Sequence, residues 1–218
     1  VLIVPSVKAV LFDFSGTLAR LEDDDTWFDG TGLDAGQRAE VMDRLTHPTV
    51  AVDHHAWGYR DLDTSMHREA YLHVLLDAGL AVPHAESLYA RCIDPNQWTV
   101  YPDTVAVLDG LRANGIRTAV VSNIAWDVRA VLVSAGTGAD EYVLSYQVGV
   151  AKPDRRIFEV ALSRLGVDAG HAVMVGDSVE NDGAAAELGC GFILVDPLPV
   201  ADRPTALLDA LHERGIHT

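Results

Sequence analysis

Four short apolar runs rich in β-branched residues recur along the chain: VKAVLF (residues 7–12), IRTAVV (116–121), HAVMV (171–175) and GFILV (191–195). Each has the length and continuity of a strand buried on both faces. Interleaved with them are amphipathic stretches of helix length, DTVAVLDGLRANG, AWDVRAVLVSAG, PDRRIFEVALSRLG and ENDGAAAELG, each closing near a glycine that suits a helix terminus. Strands alternating with helices predict a parallel sheet covered on both faces. Residues 18–99 break the alternation. They hold helical patterns such as AGQRAEVMDRL and SMHREAYLHVLLDAGL and no convincing strand, with EDDDTWFDG and DPNQWTVYP as linkers out of and back into the α/β part. The expectation is an α/β core from residues 1–17 and 100–218, carrying a helical insert over residues 18–99.

Composition narrows the function classes. With 32 acidic residues against 16 Lys plus Arg, the formal charge is −16, a field that repels nucleic acid and anionic membrane surfaces. No apolar run approaches the ~20 residues that span a bilayer, and VLIVPSVKAV lacks a cationic leader and a cleavage site. Cys92 and Cys190 form no CxxC pair and no disulfide framework. These features predict a cytoplasmic protein whose partner is a small molecule rather than a nucleic acid or a membrane.

In an open parallel sheet, ligands bind beyond the carboxyl ends of the strands. The first apolar run ends at Asp13, the second at Ser122 and Asn123, and the third runs into GDSVEND, which carries Asp177 and Asp182; Lys152 sits in GVAKPD, before a helix expected to open with Pro153. Taken singly, Asp13, Ser122 and Asn123 fit helix caps or turns, Lys152 a solvated charge, and GDSVEND an acidic turn. Taken jointly, they supply carboxylates for a hard cation such as Mg²⁺, a hydroxyl with neighbouring backbone N–H groups, and one ammonium. Phosphoryl transfer is the reaction such a set serves.

The order DFSGT, SN, AKPD, GDSVEND resembles the four motifs of the haloacid dehalogenase-like hydrolase superfamily, over a core from about Val7 to Val195 without the insert. The resemblance implies a Rossmann-like core with an inserted helical cap, acting as a Mg²⁺-dependent phosphohydrolase on a small phosphorylated molecule. It implies Asp13 as the nucleophile that forms an aspartyl-phosphate. Ser122, the backbone of Asn123, and Lys152 would hold the phosphoryl oxygens. Asp13, the carbonyl of Ser15 and Asp177 would bind the metal, with Asp182 acting through water or fixing Lys152. Thr17 would orient the first loop and Gly16 let it turn, and the cap would close over the substrate.

Two positions after Asp13, where most phosphatases of this superfamily carry a second aspartate as acid and base, stands Ser15. A serine is a poor acid and a poor base near neutral pH, so the expected enzyme acts best on leaving groups that need no proton. A catalytically reduced phospho-ligand or protein binder is one alternative; a dehalogenase is another, which retention of Asp177 argues against. A Schiff-base phosphonatase is excluded, because residues 18–99 hold no lysine. Within AVDHHAWGYRDLD, the adjacent His54 and His55 point in different directions on a helix and fit surface or packing roles. Arg20 and Arg60 are candidate contacts for an anionic substrate. Trp27 and Trp98 are expected to pack insert against core.

Overall fold

The computed structural model describes residues 6–22, 24, 26–46 and 55–218. In chain order the first elements are β1 (Ala9–Phe12), β2 (Ala19–Leu21), α1 (Ala35–Thr46), α2 (His55–Tyr59), α3 (Thr64–Asp77), α4 (Val82–Cys92) and β3 (Trp98–Val100). There follow α5 (Thr104–Ala113), β4 (Arg117–Ser122), α6 (Arg129–Ser134), β5 (Glu141–Leu144), α7 (Ser145–Val148), α8 (Arg155–Leu165), β6 (Ala172–Gly176), β7 (Gly191–Leu194) and α9 (Ala206–Glu213).

The main sheet has the order β5-β4-β1-β6-β7 and every pair in it is parallel. β1 lies at its centre with all four residues buried, which is why its sequence is an unbroken apolar run. Side chains alternate between two cores. Val10, Phe12, Val120 and Val175 face a cluster with Val107, Leu111 and Leu207 from α5 and α9; Leu11, Ala119, Val121 and Met174 face a second with Ile157, Phe158 and Ala161 from α8. Helices therefore cover both faces.

From β1 the chain steps outward to β4 and β5, then crosses back to the far side of β1 as β6 and β7. The order reverses between β1 and β6, and there the sheet opens a crevice beyond its carboxyl ends. In register, Phe12 stands opposite both Val120 and Val175, so the residues that follow β1, β4 and β6 emerge level with one another.

The segment between β2 and β3 folds around a third cluster, in which Phe28, Val41, Leu75 and Leu88 are buried. It leaves and re-enters through strands that the sequence does not announce: β2 and β3 pair antiparallel, Ala19 opposite Val100 and Leu21 opposite Trp98. Three residues each are too few to display a period of two. β5 is likewise unannounced; at the sheet edge its first two residues are only partly buried, so EYVL never forms an apolar run. Two helices differ from expectation. The helix after Lys152 opens at Arg155, not Pro153, because Asp154 caps it by accepting the Arg156 N–H at 2.9 Å. ENDGAAAELG contributes only a 3₁₀ segment, Gly183–Leu188. Trp98 lies where it touches both clusters, its ring 5.1 Å from Phe14, whereas Trp27 is buried within the helical cluster.

Candidate active site

Asp13 follows β1 directly, and its N–H donates to Val175 O of the neighbouring strand at 2.9 Å, which seats the loop on the sheet. One carboxylate oxygen, Oδ1, accepts from Lys152 Nζ at 2.7 Å, and the same ammonium donates to Asp182 Oδ1 at 2.6 Å. Lys152 is held from behind as well. The Asn123 side chain accepts the Lys152 N–H at 2.7 Å and donates to the Lys152 carbonyl at 2.8 Å, so the end of β4 clamps the lysine backbone from both sides. Asp182 accepts the Ser178 N–H at 3.0 Å through its other oxygen.

One carboxylate oxygen each from Asp13, Asp177 and Asp182 lies within 4.8 Å of the others. Oxygen donors so grouped suit a hard divalent cation. Their charges are mutually unfavourable. Burial, then the neighbouring Asp13 and Asp182 carboxylates, push the Asp177 carboxyl up to about 7. Burial also raises Asp182, with Lys152 opposing it. Burial alone would discharge Lys152, but Asp13 and Asp182 together hold its ammonium above the ordinary lysine value.

Two glycines make this crowding possible. A Cβ on Gly176 would stand 2.1 Å from Asp182 Oδ2; on Gly16, which turns the first loop at φ +74°, it would stand 2.4 Å from Asp177 Oδ2 and 2.9 Å from Pro197 Cβ. Ser15 is exposed to the crevice. Thr17 is fully buried and its hydroxyl has no hydrogen-bond partner among the described residues, so the loop is not oriented through that hydroxyl. A residue outside every motif holds the loop instead. Arg203, 2% exposed, donates to Gly16 O at 2.5 Å and Thr17 O at 2.8 Å, with its guanidinium 3.7 Å above the Tyr101 ring.

Above the cluster is a cavity of about 160 Å³. Ser15, Asn123 and Asp177 form its floor, and Arg20, Asp61, Tyr71, Trp98 and Trp126 stand among its walls. Ser122 is buried as the last residue of β4. Arg20 donates to Pro197 O. Arg60 does not line the cavity: its guanidinium lies 4.2 Å over the Trp57 ring and 3.3 Å from Asp61 Oδ2. His55 is exposed, its ring 5.0 Å from Tyr59, and His54 lies outside the described residues. Asp61, Tyr71 and Trp126 are cavity residues that sequence reasoning passed over, although Asp61 sits three residues after Gly58 in a stretch already singled out for its aromatic and basic side chains.

No helix among the described residues is long and apolar enough to cross a membrane. Haloacid dehalogenase-like hydrolase domain-containing protein 3 of Bos taurus is 35% identical over 130 residues, 57% of this chain and 51% of its own. Phosphoserine phosphatase of Thermus thermophilus is 34% identical over 127 residues, covering 56% of this chain and 51% of its own. The chain thus spans about half the length of these curated relatives. Among solved structures, a 2-haloacid dehalogenase from Pseudomonas syringae superposes with a TM-score of 0.57 at 26% identity, over 95% of this chain and 99% of that one. The family model for haloacid dehalogenase-like hydrolases matches residues 7–189, from just before β1 to beyond β6 and short of β7 and α9, and the chain belongs to that family.

Proposed function

We propose that the protein is a Mg²⁺-dependent phosphohydrolase that works through an aspartyl-phosphate on Asp13. The observation that carries this reading is the chain Asp13–Lys152–Asp182, with Nζ at 2.7 Å and 2.6 Å from the two carboxylates, beside Asp177 at the carboxyl ends of the two central strands. A phosphatase among the relatives supports it.

The cluster fits the metal: three carboxylates face a single ammonium, and burial with two neighbouring carboxylates pushes the Asp177 carboxyl up. Asp13 and Asp177 would hold Mg²⁺ with the Ser15 carbonyl, while Asp182, already engaged by Lys152, fixes the lysine. When bound, the ion neutralises charge on the transferring phosphoryl group. An Asp13 oxygen forms a bond to phosphorus as the ester oxygen leaves with its electron pair; water then attacks phosphorus and restores the carboxylate. Lys152, charged throughout the neutral range, steadies the phosphoryl oxygens with Ser122 and the Asn123 backbone. Residues 18–99 act as the cap whose walls exclude water and select the leaving group.

Ser15 weakens this enzyme in one step. Loss of a positioned acid costs about 10²- to 10⁴-fold in rate, or ~3–5 kcal/mol of barrier, and it weighs most on alkoxide leaving groups. Phosphate release should be measured with Mg²⁺ and with chelator on sugar phosphates, nucleotides, p-nitrophenyl phosphate and acetyl phosphate, with Asp13→Asn as the blank and halide release from 2-chloropropionate alongside. Metal-dependent release that is fastest on the activated esters and absent in the blank is the expected result. Halide release indifferent to chelator would overturn it in favour of dehalogenation. Silence on every ester, with phosphate still bound, would leave a binder.

A further inference from the structure

The cavity walls carry a charge pattern that names a substrate class. About 160 Å³ is room for one small group; an apolar cavity of ~150 Å³ holds a benzene. Tyr71, Trp98 and Trp126 present aromatic surface to it, with the two indole rings 5.4 Å apart. Among the described lining residues, the one cation is Arg20, and it is already committed to Pro197 O and to Glu22 at 3.7 Å. His67 adds no charge, since burial, followed by Arg60, lowers it to about 4. Its Nδ1 is 3.0 Å from the Tyr89 hydroxyl.

A carboxylate from residues 18–99, Asp61, lines the same cavity as these rings. Asp61 is pinned through its backbone carbonyl by Ser145 Oγ, at the carboxyl end of β5. Its Oδ2 is 3.3 Å from Arg60. Burial raises this carboxyl, with Arg60 and Lys152 opposing. A second anion on the substrate would meet Asp61 and find no free cation. An ammonium would meet both a carboxylate and aromatic faces, the combination that recognises amines and quaternary ammonium groups.

We propose that, among alkyl phosphates, the cavity selects the phosphomonoester of a small amino alcohol, its single positive charge received by Asp61 against Tyr71, Trp98 and Trp126, with no second anion. The selection acts in binding, while Ser15 keeps turnover of such an ester slower than that of p-nitrophenyl phosphate. The proposal rests on the phosphohydrolase reading. The test compares kcat/KM, with Mg²⁺, for phosphoethanolamine and phosphocholine against O-phosphoserine, which is phosphoethanolamine plus a carboxylate, and against glycerol 3-phosphate; p-nitrophenyl phosphate is the reference. The cationic esters should exceed phosphoserine by about tenfold or more, through KM. Asp61→Asn should collapse the ratio of phosphoethanolamine to glycerol 3-phosphate towards one, and Asp61→Glu should retain it. Choline should compete with p-nitrophenyl phosphate in the wild type and lose that competition in Asp61→Asn. Turnover of p-nitrophenyl phosphate with phosphoserine or glycerol 3-phosphate preferred would overturn the substrate class alone. So would an Asp61→Asn effect on kcat equal for all alkyl esters, which would make Asp61 a proton donor instead. No turnover of any ester would overturn the phosphohydrolase reading and this proposal with it.

Discussion

In chelator the protein's stability, measured against an Asp177→Asn variant, should fall as pH rises from 5 to 8, contrary to the behaviour of most carboxylate-stabilised folds. The cause is Asp177, whose carboxyl stands at about 7 in the folded chain against 3.8 as reference. Between those two values the folded state keeps a proton that the unfolded state has released, so stability declines with pH by up to ~1.4 kcal/mol per unit. A rise from 3.8 to about 7 corresponds to about 4 kcal/mol once complete. Asp182 and Asp61, also raised, act in the same direction. His67, lowered to about 4 by burial and then Arg60, opposes them below its ordinary value of 6.5, because the unfolded imidazole binds a proton that the folded one does not. The Asp177 contribution is therefore read as the difference between the wild type and Asp177→Asn. Lys152 does not alter the slope: its raised ammonium stabilises the fold at every pH below the ordinary lysine range and loses that contribution only in strong alkali. The depressed carboxyls Asp24, Asp63 and Asp154 stabilise above their ordinary range and fade only in acid, beneath this window.

The assay is thermal unfolding in chelator at half-unit steps from pH 5 to 8, repeated with Mg²⁺. For a chain of this size ~1 kcal/mol moves Tm by roughly 2–4 °C, so the ~2.7 kcal/mol of the Asp177 contribution that is lost between pH 5 and 8 should lower Tm by about 5–11 °C relative to Asp177→Asn in chelator. Mg²⁺ at about 100 times its Kd contributes about 2.7 kcal/mol where the cluster is ionised. It should therefore restore Tm at pH 8 and do little at pH 5, where it must displace a proton. Asp177→Asn should lose most of the response to Mg²⁺ and keep in chelator only the slope that His67, Asp182 and Asp61 supply. An equal response to Mg²⁺ at the two ends of the window, or an unchanged slope in the asparagine variant, would each refute the argument from crowded carboxylates.

Three further outcomes are expected. Ser15→Asp should raise kcat/KM on alkyl phosphates by about 10²-fold, with a smaller gain on p-nitrophenyl phosphate; a uniform gain, or none, would mean that position 15 does not reach the leaving oxygen. Gly16→Ala, which brings a Cβ 2.4 Å from Asp177 Oδ2 at φ +74°, should raise the Mg²⁺ concentration needed for half-maximal thermal shift by about 10- to 100-fold; wild-type affinity would show that this contact relaxes. Arg203→Lys keeps the charge but loses the planar fork on two carbonyls and its stacking on Tyr101. It should cost about 2 kcal/mol in urea unfolding and lower kcat along with it.

The reach of the sequence follows from how each feature is encoded. β1, β4, β6 and β7 are legible because strands inside a parallel sheet need continuous apolar runs, and Asp13, Asn123 and Asp177 are legible because each follows such a run directly. β5 is an edge strand that is half apolar, and β2 and β3 are held by pairing with each other rather than by a pattern of their own. Arg203 reaches Gly16 across 187 positions, and Asp61 reaches the cavity only because Ser145 anchors it. Neither juxtaposition leaves any local trace.

Arg203 and Asn123 also explain why the site tolerates an atypical residue at position 15. The first loop is fixed on one side by Asp13 N–H on β6 and on the other by Arg203 on the Gly16 and Thr17 carbonyls, and neither contact involves the Ser15 side chain. The ammonium is fixed by Asn123 through the Lys152 backbone, again independently of position 15. Asp13, the ammonium and the carboxylate cluster are therefore held by groups other than the side chain at position 15. Exchange of Ser15 should change the dependence of rate on leaving-group basicity while leaving this framework in place. On the phosphohydrolase reading, position 15 would govern which esters turn over, and the cavity walls which ones bind.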